Sequence, residues 1–227
     1  MGRWLPDVAA ARRLHQAKAH LAFDSEAARA RRARIDPRRV ARTMPSMAHA
    51  LRRVTSEKEF LRLPESTSKI ELVDGEVVVS PSPTYWHQEI VGRLVVMLRA
   101  WAAKQKRPVV VGHAPLDVRF GRGRILQPDV FVLFGRVPRS LRGPIEKIPA
   151  LCVEVLSEDR AHDRVAKRRL YAAAGVREYW IVDGGGVVER RSGAGLARGE
   201  ETRRRLTTPL LPGFAFDVRR LLAARRP

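Results

Sequence analysis

From Ile70 to Val182 the chain alternates short apolar runs of strand length with two longer segments of helical period. Ile70-Glu71-Leu72-Val73 and Glu76-Val77-Val78-Val79 flank Asp74-Gly75, a dipeptide suited to the left-handed backbone of a two-residue hairpin. Ser80-Pro81-Ser82-Pro83 then stops the sheet, because proline has no N–H to give to a ladder. Ile90, Val91, Leu94, Val95, Leu98 and Trp101 recur at helical spacing and predict a helix over about 84–104. Strands are expected at Val109-Val110-Val111 and over 116–119, with a Gly-Arg-Gly-Arg turn at 121–124. Two stronger apolar runs follow, over 130–134 and 151–156, separated by a loop holding Pro138, Gly143, Pro144 and Pro149. The segment 161–174 reads as a helix closed by Gly175 in the left-handed conformation. A strand over 178–182 turns through Gly184-Gly185-Gly186 into another at 187–190. Upstream, Ser56 and Glu59 have the spacing of a capping box on a short helix. An Arg/Glu-rich stretch and a short helix over about 217–224 end the chain. The order β-β-α-β-β-β-β-α-β-β predicts an α/β (α+β) protein, a mixed sheet with helices packed on it.

Residues 1–50 break this pattern. They are rich in Ala and Arg, and Leu14, Ala17 and Leu21 give only a thin apolar stripe, so a helix there has no strong face to bury. The expectation is a basic extension, disordered or loosely helical, ahead of a compact domain over 51–227. Three readings stay open for it: a phosphate-contacting arm, a solvated tail, or sequence upstream of a true start at Met44 or Met47. An organelle transit peptide is a fourth.

Composition adds a bias and several exclusions. The 227 residues carry 44 Lys and Arg against 24 Asp and Glu, a formal charge of +20. Such an excess favours a polyanionic partner, although an arginine-rich composition also follows from a GC-rich coding sequence. The single cysteine, Cys152, lies in an apolar run and reads as core rather than nucleophile. One cysteine excludes an internal disulfide framework. No apolar run is long enough to span a bilayer, and no secretory h-region opens the chain. The expected setting is the cytoplasm, with no membrane partner.

Three residues carry the candidate chemistry. Asp129, in Gln127-Pro128-Asp129, opens the 130–134 strand; Glu154 interrupts the run Leu151-Cys152-Val153-Glu154-Val155-Leu156; Lys167 lies on the following helix. A carboxylate inside a strand is costly unless it meets a cation. Two such carboxylates and an ammonium make a minimal set for divalent-metal phosphodiester cleavage. Each has a plainer reading: Asp129 as a turn residue, Glu154 as an ion pair with an arginine such as Arg119 or Arg168, and Lys167 on a solvated face. Asp163 stands four residues before Lys167 and could hold it.

With these motifs in order, the chain from about 70 to 222 resembles the Uma2 family, also called the DUF820 domain, of the PD-(D/E)xK nuclease superfamily. The matching stretches are Glu71-Leu72-Val73-Asp74-Gly75-Glu76, His87, Gln127-Pro128-Asp129, Val153-Glu154-Val155-Leu156-Ser157, Asp163 with Lys167, Tyr171 to Val176, and Glu178 to Asp183. The resemblance implies a restriction-endonuclease-like sheet core and a metal-dependent endonuclease acting on DNA, with a homodimer as one way to cut both strands. It implies that Asp129 and Glu154 hold Mg²⁺ or Mn²⁺ and that Lys167 assists the attacking water. Glu76 is a candidate further carboxylate and His87 a candidate group beside the site. Ser157 is a water-bridged ligand or, more simply, a helix cap, while Tyr171 and Trp180 read as core. One departure matters. The superfamily pattern places a lysine two residues after the glutamate, where this chain has Leu156; Lys167 matches a position relocated to the helix. The alternative is a catalytically silent nucleic-acid-binding protein of the same fold.

Overall fold

The computed structural model describes residues 56–223 except 65, 67 and 157–160, and describes the backbone but not the side chains of 161–164. The expected 1–50 extension, Ser157 and the Asp163 side chain therefore lie outside the described residues.

The chain runs α1 (Glu57–Phe60), β1 (Ile70–Val73), β2 (Glu76–Val79), α2 (Tyr85–Ala102), β3 (Val109–His113), β4 (Val118–Gly121), β5 (Arg124–Leu126), β6 (Val130–Phe134), β7 (Leu151–Leu156), α3 (Ala161–Ala174), β8 (Glu178–Asp183), β9 (Val187–Ser192), β10 (Arg198–Thr202), β11 (Arg205–Thr207), β12 (Ala215–Asp217) and α4 (Val218–Leu222). Local chemistry sets the ends. Ser56 and Glu59 form the capping box of α1. Thr84 caps α2 by accepting the His87 N–H. Asp74 and Gly75, both at positive φ, close the β1–β2 hairpin.

A six-stranded sheet has the order β10-β9-β8-β7-β6-β3, and a four-stranded sheet the order β2-β1-β5-β4. In the larger sheet β7 is central, parallel to β8 through the α3 crossover and antiparallel to β6. Side chains alternate across the sheet. Val130, Val132, Leu151, Val153, Val155, Trp180 and Val182 pack with α2 and with Phe214 and Phe216. Phe131, Leu133, Cys152, Tyr179 and Ile181 pack on the other side, with α3 and β4. Gly112 faces Phe131 across β3 and β6, and the ring fills the space a Cβ would need.

The structure adds strands to the expected order. Gly121–Arg124 makes the expected turn, from β4 into Arg124–Leu126, and that segment is a further strand, β5, which joins β1 to β4. The Arg/Glu-rich stretch holds another, β10, where Arg198–Thr202 pairs with β9. Four of the five β10 residues are exposed, so this edge strand has no apolar alternation to betray it.

Candidate active site

Five segments meet at one end of the sheet. On β1, Glu71 alternates with the buried Leu72 and so faces α3, with Lys69 two residues earlier on the same side. Gln127-Pro128-Asp129 connects β5 to β6 and is fastened twice: the Gln127 N–H donates to Glu71 Oε1 at 2.8 Å, and its Nε2 to Asp117 Oδ1 at 2.9 Å. Asp129 is in step with Phe131 and Leu133, and Glu154 with Cys152, so both carboxylates emerge on the α3 face. Helix α3 supplies Lys167 and Tyr171, one turn apart on the same side. The first turn of α2 supplies His87.

The contacts are dense. Asp129 Oδ1 accepts from Lys69 Nζ at 2.8 Å. Its Oδ2 accepts the Val155 N–H at 2.9 Å and lies 3.1 Å from His87 Nε2. Glu154 Oε1 accepts from the Tyr171 hydroxyl at 2.5 Å. Glu154 Oε2 faces two ammoniums, Lys167 at 3.0 Å and Lys69 at 3.3 Å. Glu71 Oε2 lies 3.5 Å from Lys167 Nζ, and Glu71 Oε1 4.0 Å from Lys69 Nζ. Glu71, Asp129, Glu154 and Lys167 are all buried, and Lys69 Nζ stands between the carboxylates.

Burial acts against every charge here, and the neighbours decide the outcome. For Asp129 burial is outweighed by Lys69, the His87 hydrogen bond and Lys167, which hold its carboxyl well below the usual range. For Glu71 burial is outweighed by Lys167, Lys69 and the Gln127 N–H, and the group is also lowered. For Glu154 burial prevails over Lys167 and Lys69, aided by Asp129 and Glu71, and its carboxyl is raised. Burial pulls Lys69 down, but Glu154, with Glu71 and Asp129, keeps its ammonium above the ordinary value. Carboxyls driven apart in this way can divide the work of anion and proton carrier.

Of the residues singled out in the sequence, the structure brings Asp129, Glu154, Lys167 and His87 together. Glu76 sits at the turn end of the hairpin, opposite Val73 and on the same sheet face as Glu71. Leu156 ends β7 half-buried. Arg119, considered as a partner for a site carboxylate, instead pairs with Glu57 and Glu146; the partners of Glu154 and Asp129 are lysines and His87. Sequence reasoning missed Lys69, Glu71 and the polar contact of Tyr171. Glu71 carried a usable signal, since a carboxylate within Ile-Glu-Leu-Val poses the same cost as Glu154 within its run. Tyr171 is core as expected, fully buried, and also a hydrogen-bond donor.

Among the described residues, no group of three or more His, Cys, Asp or Glu side chains forms a preassembled metal cage. No helix among them is long and apolar enough to cross a membrane.

A mixed sheet with paired carboxylates on neighbouring strands and a lysine on the crossover helix has the architecture of a restriction-endonuclease-like fold. Residues 57–219 match the family model Uma2, described as "Putative restriction endonuclease", and the chain belongs to the Uma2 family. The fold is similar to the crystal structure of a protein from Anabaena variabilis ATCC 29413, described as "a putative nuclease belonging to DUF820". The TM-score is 0.60 at 23% identity, over 73% of this chain and 96% of that one. No curated protein matches the chain.

Proposed function

We propose that the chain is a divalent-metal-dependent endonuclease that hydrolyses phosphodiester bonds in DNA. The observation that carries this reading is the convergence of Asp129 and Glu154 on one cationic point, the Lys69 ammonium. Two carboxylates are a hard-oxygen donor set of the kind that suits Mg²⁺ or Mn²⁺, which commonly bind through one or two carboxylates plus water and substrate phosphate. Asp129 and Glu154 would hold the ion. Once bound, such an ion polarises the scissile phosphate and makes its water a better nucleophile. Lys167, against Glu154, orients the attacking water and stabilises charge that develops on the phosphate. His87 and the Val155 N–H fix the orientation of Asp129. Glu71 steadies Lys167 from the other side. Glu76 is a candidate for a further carboxylate, and Asp163 and Ser157 for supporting roles. The +20 charge supports a nucleic-acid substrate, and a homodimer would bring two such sites to a duplex.

A second reading rests on the same lysine. Lys69 already compensates both carboxylates, as it would in a catalytically silent nucleic-acid-binding protein of this fold. Supercoiled plasmid incubated with the purified chain in Mg²⁺ or Mn²⁺ separates the two. Nicking should require metal, and Asp129→Asn and Glu154→Gln should each slow it by about 10²–10³-fold or more. Salt-sensitive DNA binding without cleavage by the wild type would move the assignment to the silent reading.

A further inference from the structure

Resting on that metal-dependent reading, we propose that Lys69 is a tethered competitor for the cation site, its ammonium standing between Asp129 and Glu154 until a divalent ion displaces it. The two lysines of the cluster are not equivalent. Lys167 comes from α3 and bridges Glu154 and Glu71. Lys69 enters from the start of β1 and meets oxygens of Asp129 at 2.8 Å and of Glu154 at 3.3 Å, the two groups assigned to the metal. Its side chain is only 12% exposed, so the contact is a seated one and not a surface encounter.

Charge counting supports an exchange. Glu71, Asp129 and Glu154 against Lys69 and Lys167 leave one negative charge in excess when all five are ionised. A divalent ion in place of the Lys69 ammonium brings the same set to neutrality. An ion added beside a seated Lys69 would instead leave an excess positive charge and force two cations together at short range. Burial makes that arrangement costly. A lysine is suited to leave, because its charge sits at the end of a flexible four-carbon stem. Ser66 and Ser68, just upstream, are exposed and half-buried, so solvent lies close to where that stem would swing. The displaced ammonium is then free for an incoming phosphate. A site that is open for about a tenth of the time binds about tenfold more weakly than one always open.

The test is Mn²⁺ binding to the full chain after chelator treatment, followed by calorimetry for wild type and Lys69→Met. The expected result is a Kd about tenfold lower in Lys69→Met. Equal or weaker binding by a folded Lys69→Met protein overturns the competitor role and leaves the metal reading standing. Absence of Mn²⁺ binding in both proteins overturns the metal reading and the proposal with it. Because Lys69→Met also removes a cation from buried carboxylates, the wild type supplies an independent readout. Acetylation of Lys69, followed by mass spectrometry, should be slow without Mn²⁺ and faster with it; a rate unchanged or slowed by Mn²⁺ overturns the proposal.

Discussion

The two faces of the large sheet are built from alternate residues of the same strands, yet they differ in kind. Toward α2, Val153, Val155, Trp180 and Val182 pack in an apolar cluster closed by Phe214 and Phe216, with the buried Glu178 accepting the Trp180 Nε1–H. Toward α3, the pattern starts the same way with Phe131, Cys152 and Tyr179 and ends in Asp129 and Glu154. The apolar face fixes the register. A slip of β7 by one residue would turn Glu154 into the α2 core and Val155 toward the lysines, so every apolar contact on the first face opposes it. The charged face gives little stability in return, since a buried ion cluster costs roughly what it gains. One face therefore holds the strands in place, and the other uses that precision for chemistry.

The largest expected effect comes from breaking the apolar face. Trp180 is fully buried, stacks on Phe214 with centroids 6.0 Å apart, and donates from Nε1 to Glu178 at 3.0 Å. Trp180→Ala should cost about 3–5 kcal/mol in urea unfolding, from lost contact and a residual cavity. A cost near zero would mean that this face does not set the register.

Tyr171→Phe probes the charged face with no loss of carbon. It removes one hydroxyl and leaves Glu154 Oε1 without that donor. The expected loss is about 1.5–3 kcal/mol, the range for hydrogen bonds to charged groups. The same substitution should weaken Mn²⁺ binding, because Glu154 is no longer held with Oε2 toward the cation point. A stability loss with unchanged Mn²⁺ affinity would reduce Tyr171 to packing.

The smallest effect is a difference in pH dependence. The Asp129 and Glu71 carboxyls are lowered in the folded state, so the stability they contribute is present at neutral pH and is lost as pH falls through their folded values. Glu154 is raised, so its contribution is greatest in acid and is lost as pH rises through its folded value. Glu154→Gln removes that loss. Its stability relative to wild type should therefore increase from about pH 4, the unperturbed glutamate range, to pH 8. A stability difference that stays flat or falls over this range would contradict the raised Glu154.

Much of this was legible in the chain. The Asp-Gly hairpin, the α2 period, the Gly175 end of α3 and the central place of the Glu154 strand all follow from local pattern. Asp129, Glu154, Lys167 and His87 were visible because each is out of character with its surroundings or sits at an element end. Lys69 was not, because a lysine just before a strand looks like any solvated residue; only the three-dimensional approach of Asp129 and Glu154 makes it special. Tyr171 was read as core because apolar periodicity records burial and is silent about where a hydroxyl points. Strands β5 and β10 were missed for opposite reasons, one short and masked by turn glycines, the other wet on both faces.

The spacing of the cluster along the chain has a consequence for its synthesis. Its contacts join residues 85, 60, 42 and 17 positions apart, and no single stretch contains the set. A chain elongating on the ribosome acquires Lys69 and Asp129 well before Glu154, and Lys167 and Tyr171 only once α3 has emerged. Domains fold as units as they are made, and β7 gains its parallel neighbour only after β8 follows. Every product that ends before α3 therefore lacks Lys167 and Tyr171, two of the groups that hold Glu154, so a finished centre requires a chain that has passed that helix.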